Sequence, residues 1–330
     1  PDDVVSASAH GSVLAVDLKE TLKLPDPRPE SAGKQSGGSS TAATGPGPST
    51  PDSNPFMPTR ETGAVLFKSL HPTFDGRGIT IGILDSGVDL DHPALQTTST
   101  GERKIVDWVT ATDPLLEGDL SWRAMLTQVT GPTFTFAGST WTSPPGTFRI
   151  NRFTEAVVVG EFGGDVNRDG DTVDRFGVLY DPANNNVWID HDGDFDFTDE
   201  PIMRPYNEAF QIGHFGVDNP ATDVAETVPF VVEFREDVDL TPAGLPGQVA
   251  DFVNVGIVAA QHGSHVAGIA AGHALFGGNM DGAAPGAKLV SSRACLFSGG
   301  CTNVALFEGM ADMVINRGVD VVNMSIGGLP

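Results

Sequence analysis

Cysteine is almost absent: Cys295 and Cys301 are the only two in 330 residues. Two are too few for a disulfide scaffold and lack the partners of a zinc site, although pairing across a short loop stays open. Large aromatics are also scarce, with four Trp and two Tyr, whereas 40 glycines and 24 prolines point to many turns around backbone packed closely on small residues. No stretch approaches the roughly 20 apolar residues that span a bilayer, so no membrane partner is expected for the visible chain. Basic residues are few. The 19 Lys and Arg stand against 43 Asp and Glu, a formal charge of −24, which repels phosphate backbones and argues against nucleic acid as a partner. What is present, 39% hydrophobic residues in a chain of this length, suffices for a real core.

The chain opens at Pro1 rather than Met, and both ends read as cut, which is compatible with a signal peptide upstream. Residues 4–18 have β-leaning character around a turn at His10-Gly11, and residues 1–24 read as the tail of a preceding unit such as a propeptide. From 25 to 62 the sequence is rich in Pro, Gly and Ser, with eight prolines between Pro25 and Pro58, and cannot bury enough apolar area to fold; it reads as a linker or activation segment. Glycine-punctuated apolar runs follow. Ile79–Leu84, Lys288–Ser292 and Val319–Met324 suit strands buried on both faces of a parallel sheet. Between the last two, Thr302 or Asn303 can cap a helix in which Val304, Phe307, Ala311 and Val314 recur at helical spacing and which Gly318 can close. Strand, helix, strand makes a crossover in a parallel α/β sheet. Residues of about 110–250 interrupt this rhythm with β-branched and aromatic residues, turn clusters and acidic stretches, and read as a β-rich insertion.

Ligands of an open parallel sheet bind beyond the carboxyl ends of its strands. Asp85 stands just past such an end, followed by Ser86-Gly87, which permits a tight turn. Residues 262–272 read HGSHVAGIAAG, a histidine opening a helix of small residues able to lie close against a sheet, so that His262 is held at the rim.

Four segments in order, GRGITIGILDSGVDLDHPAL (76–95), HGSHVAGIAAG (262–272), GAAPGAKLV (282–290) and VDVVNMSIGG (319–328), resemble landmarks of the subtilisin-like serine proteases. The resemblance covers about 63–110 and 250–330. It implies an α/β, three-layer fold with a parallel sheet flanked by helices, and residues 63–330 as the front part of a catalytic domain. It also implies a secreted serine endopeptidase acting on proteins or peptides. His262 is then the general base and Asp85 the carboxylate that orients it. The family's serine, in a Gly-Thr-Ser-x-Ala segment, has no counterpart in these 330 residues and is expected beyond Pro330. His265, one turn on from His262, is expected to face the packed body of the helix in a structural role; Asp89 and Asp91 read as turn and surface residues. An extended substrate adds its backbone to a sheet edge, which needs unobstructed glycine-rich segments. Ser325, Ile326, Gly327 and Gly328 resemble one wall of the family's cleft, and Ser298, Gly299 and Gly300 resemble the loop on the other side. Cys295 and Cys301 bracket that second loop, and a disulfide there would stiffen it, although paired cysteines at this place are not a general family feature.

Asp85 and His262 lie 177 positions apart, far more than in compact subtilisins, and the acidic stretches fall in that interval. From Glu161 to Glu200 twelve Asp and Glu face two Arg, so divalent cations are the natural counter-charge. Asp165, Asn167, Asp169, Gly170 and Asp171 match the opening of a calcium loop, without a glutamate at the twelfth position. Asp190, Asp192, Asp194 and Asp196 give a second alternating series. Both are expected to hold structural calcium, with acidic solvated turns as the other reading. Three rival functions remain to be weighed. Phosphoryl transfer by Asp85 wants a second carboxylate two residues on, where Gly87 stands, and dinucleotide binding wants a G-x-G-x-x-G turn that is missing. A degenerate subtilase that binds peptides or partners without cutting them is the alternative that the sequence leaves open.

Overall fold

Ile83 and Leu84 are both fully buried although their side chains leave opposite faces of one strand, so both faces of that strand are covered. The computed structural model describes residues 21–22, 57–60, 62–221 and 226–327. Most of the expected preceding unit and linker, and Gly328, lie outside the described residues. The strand in question, Thr80–Asp85, sits in a four-stranded sheet in the order Val321–Asn323, Thr80–Asp85, Lys288–Arg293, Ile105–Thr110, with every neighbouring pair parallel. Against one face lies the helix His262–Ala271, whose Val266, Ala267 and Ala271 are buried with Ile83 and Leu289. Against the other lies the helix Asn303–Ile315, whose Ala305, Leu306 and Met313 are buried with Leu84 and Val290. This is the expected three-layer α/β arrangement, and all three apolar runs became strands of it.

The second helix begins as expected, with Thr302 Oγ1 accepting from Ala305 N at 3.0 Å. Its buried face is not the one its sequence suggests. Phe307 and Val314, two of the residues that recur at helical spacing, are 83% and 56% exposed. Small residues decide the orientation: a Cβ on Gly309 would lie 2.6 Å from Leu84 Cδ1, so the Ala305–Gly309 side is the one that fits close to the sheet.

Between Ile105–Thr110 and the His262 helix the chain is antiparallel. One sheet has the order Asn186–Asp190, Arg175–Asp181, Thr147–Thr154, Thr127–Thr130; a second has Gly213–Phe215, Val228–Asp239, Val249–Gly256, Trp122–Ala124. A hairpin, Thr133–Phe136 with Ser139–Thr142, is added. Phe176, Phe215 and Phe230 join the two sheets in one core, with ring centroids 4.5 and 4.4 Å apart. No helix among the described residues is long and apolar enough to cross a membrane.

Candidate active site

Strand Thr80–Asp85 ends in a carboxylate because its apolar run stops there, and the side chain of Asp85 is 0% exposed. His262 is the first residue of its helix and is buried beside it. Its Nδ1 stands 2.8 Å from Asp85 Oδ1 and 3.0 Å from Oδ2. An Nδ1–H donor aimed at this carboxylate directs the ring's other nitrogen, Nε2, away from Asp85 as an acceptor, the arrangement of a general base held in one tautomer. Asp85 Oδ1 also accepts from Ser86 N at 2.6 Å.

Main chain sets the separation of the pair. Ser86 Oγ donates to Ala260 O and accepts from Gly263 N, both at 2.8 Å, so the residue after the aspartate grips the backbone on both sides of the histidine. Gly87 has φ +91°, and a Cβ on Gly263 would lie 2.3 Å from Gly87 O. Ser264 Oγ accepts from Asp89 N at 2.8 Å. Asp89 and Asp91 are thus turn residues, as expected, but Asp91 does more than face solvent: its Oδ2 is 2.8 Å from Nε2 of His214, in the second antiparallel sheet. His265 corrects the sequence reading, being exposed on a groove with Asp89, Phe162 and Ile269 rather than turned into the packed body, where Val266 and Ala267 sit.

The two glycine-rich segments leave the same carboxyl end of the sheet on either side of Asp85, since strand Thr80–Asp85 lies between Val321–Asn323 and Lys288–Arg293. Ser298 and Gly299 are exposed, and Gly299 and Gly300 have φ of +94° and +83° in a turn closed by Gly299 N to Leu296 O at 3.1 Å. Cys295 and Cys301 form the disulfide that brackets this turn. Strand Thr21–Leu22 pairs antiparallel with Cys301–Thr302 beside it. On the opposite side Ser325 Oγ donates to Asn323 Oδ1 at 2.9 Å, Ile326 packs on the core and Gly327 is exposed.

Several residues that hold the site gave no sequence signal. Arg293 stands in register beside Asp85 and donates to Asp119 Oδ2 at 2.8 Å and to Ser121 Oγ at 2.7 Å. Burial works to raise the Asp119 pKa, but Arg293 and hydrogen bonds from Thr112 and Ser121 outweigh it and hold the carboxyl below its ordinary value. Lys104 Nζ donates to the carbonyls of Ala271, Pro285 and Ala287, at the C-terminal end of the His262 helix, and burial pushes its pKa down to about 8. Glu161, from the insertion, accepts from Gln261 N at 2.8 Å at that helix's other end. A lone Lys or Glu in a strand or turn looks like surface from sequence; only the fold reveals a partner.

Of the expected metal ligands, Asp190, Asp192 and Asp194 come together, each offering an oxygen within 4.8 Å of the others. Burial, then the neighbouring carboxylates, push Asp190 up to about 6 against the pull of a hydrogen bond from Gly193 N. In the first acidic loop Asp171 groups instead with Glu155 and Asp174, and Asn167 Nδ2 donates to Asp174 Oδ2 at 2.7 Å. Asp165, Asp169 and Asp196 stand in none of these groups.

Residues 76–329 match the subtilase family of peptidases. The chain is 26% identical over 310 residues to pyrolysin of Pyrococcus furiosus, covering 77% of this chain and 21% of pyrolysin. It is 26% identical over 332 residues to tripeptidyl-peptidase 2 of Caenorhabditis elegans, covering 81% and 23%. It therefore spans little more than a fifth of the length of either. A crystal structure of tripeptidyl peptidase 2 shares the fold with a TM-score of 0.56 at 19% identity, over 80% of this chain and 24% of that one.

Proposed function

This chain belongs to the subtilase family of serine peptidases, and on that premise we propose that Asp85 and His262 are two members of an Asp-His-Ser triad whose serine lies outside the 330 residues. The observation that carries the reading is the 2.8 Å bond from His262 Nδ1 to a carboxylate with no solvent exposure. In the proposed reaction His262 Nε2 takes the serine proton as the hydroxyl attacks the peptide carbonyl, then delivers it to the leaving amine. Asp85 fixes the tautomer and stabilises the imidazolium without itself becoming protonated. The substrate lies extended between Ser298–Gly300 and Ser325–Gly327, adding its backbone to both. Secretion is supported by the Cys295–Cys301 disulfide, since such bonds persist in oxidising compartments.

Endopeptidase action is the first reading of specificity. A second, removal of tripeptides, is favoured by the match of 81% of this chain to a relative named tripeptidyl-peptidase 2. The test uses the protein extended along its reading frame beside the 330-residue chain alone. The extended protein is expected to cleave casein and to label with a fluorophosphonate; the shorter chain is expected to do neither. His262→Ala should lower kcat by orders of magnitude, and Asp85→Asn by somewhat less. Internal cuts in an end-blocked peptide identify an endopeptidase, whereas release of tripeptides from free ends alone identifies the second. Activity that survives His262→Ala, or labelling of the short chain, would overturn the triad assignment. A correctly folded extended protein with no hydrolysis at all would instead mark a degenerate subtilase that binds peptides.

A further inference from the structure

Asp190 closes the strand Asn186–Asp190 inside the insertion, and its side chain has no exposure to solvent. Oδ1 accepts from Gly193 N at 2.9 Å; Oδ2 is buried and has no hydrogen-bond partner. The only basic side chain between Asp190 and Glu200 is His191, which pairs with Glu200 at 3.1 Å. What surrounds Asp190 is more negative charge, the carboxylates of Asp192 and Asp194. A buried, unpaired carboxylate is among the least favourable groups a fold can hold, and two further carboxylates converging on it make the same demand for a cation.

We propose that Asp190, Asp192 and Asp194 form a calcium site, with Asp190 as its buried anchor. The donor set is oxygen only, which selects a hard cation over zinc or copper. Two of the three carboxylates are on an exposed loop, and backbone carbonyls and water can complete the six to eight oxygens that calcium accepts in flexible geometry. Magnesium, which wants a near-ideal octahedron and keeps its own water, suits such a loop less well. The site is coupled to the packing of the insertion. Three residues past Asp194, Phe197 is fully buried and stacks on Trp141 with centroids 5.3 Å apart, while Thr142 bridges to Asp196. A cation that closes the loop therefore fastens the hairpin Ser139–Thr142 to the strand Asn186–Asp190. The first acidic loop differs, because Glu155, the buried member of its group, already accepts from Val166 N and Asp174 N at 3.1 and 2.9 Å. The calcium assignment does not depend on the peptidase reading.

The experiment strips the 330-residue chain with chelator and follows it by calorimetric titration, by melting and by luminescence of terbium(III). Trp188, two residues from Asp190, serves as the sensitiser. One calcium per chain is expected at this loop, and millimolar calcium should raise Tm by roughly 5–10 °C. Terbium emission should appear and be displaced by calcium. Asp190→Asn should lose both responses, yet melt in chelator no lower than the parent chain, because the amide removes the buried charge. Should that variant fail to fold, Asp192→Asn with Asp194→Asn, both at exposed positions, should weaken binding at least tenfold. Asp165→Asn should leave terbium emission in place. Identical melting in calcium and chelator with no heat of binding would overturn the proposal. Unchanged affinity in the double variant, or tighter binding of magnesium than calcium, would do the same.

Discussion

Arg293 donates to the carboxylate of Asp119 at 2.8 Å, with the two side chains 0% and 1% exposed. Arg293 belongs to the strand beside Asp85, in register with it, and Asp119 belongs to the insertion. The pair, extended through Ser121 to Asn254 at 2.8 Å and on to Thr110 at 2.8 Å, is one place where the insertion is fastened to the parallel sheet. Removing one partner strands a buried charge. Arg293→Met or Asp119→Leu alone should lower unfolding free energy by about 3–5 kcal/mol, and the two together should recover part of that loss. Denaturant titrations check it; a single variant less than about 1 kcal/mol below the parent would contradict the role given to this pair.

Gly263→Ala places a Cβ 2.3 Å from Gly87 O, main chain against main chain, where no flexible side chain can yield. Overpacking of this kind costs about 1–3 kcal/mol. The shift should also open the bond from His262 Nδ1 to Asp85. The downfield imidazole N–H proton of His262 should move or vanish in NMR spectra, although the variant still folds. An unchanged resonance and melting curve would show that the backbone approach does not set the pair.

His214 and Asp91 give the fold a pH-dependent tie between the insertion and the Asp85 turn. The hydrogen bond to Asp91 raises the His214 pKa above its ordinary 6.5, with burial opposing, Asp89 adding to the shift and His191 working against it. The folded value is the higher one. The contribution is therefore complete below about pH 6.5 and is lost as pH rises through the raised value. His214→Ala should flatten the fall in Tm from pH 6.5 to 8 relative to the parent chain, and an NMR titration should place the His214 midpoint above 6.5. A midpoint at or below that value would remove the effect.

Two strands of the parallel sheet, Thr80–Asp85 and Lys288–Arg293, were legible in the sequence because they are covered on both sides. The runs Ile79–Leu84, Lys288–Ser292 and Val319–Met324 each overlap a strand of that sheet. His262 was legible because a histidine opening a helix of Gly and Ala has few other uses. The buried face of the helix Asn303–Ile315 does not follow its apolar spacing, which marks Phe307 and Val314, because close approach to the sheet selects the smallest side, Ala305 and Gly309. The insertion was legible only as β-rich, since its pairings join residues such as Phe252 and Ala124 that no local pattern connects. The same distance hid Lys104 and Glu161, whose partners lie 167 and 100 positions away.

Ser86, gripping Ala260 O and Gly263 N, fixes the spacing of the pair whatever the length of chain between its two halves. The stretch between the two motifs has only to close a loop, and closure entropy grows slowly with length. Tolerance of insertions between the two motifs is the natural expression of this freedom. Residues added in the exposed turn at Pro182–Asn184, between strands Arg175–Asp181 and Asn186–Asp190, should therefore leave the contact of His262 with Asp85 unchanged.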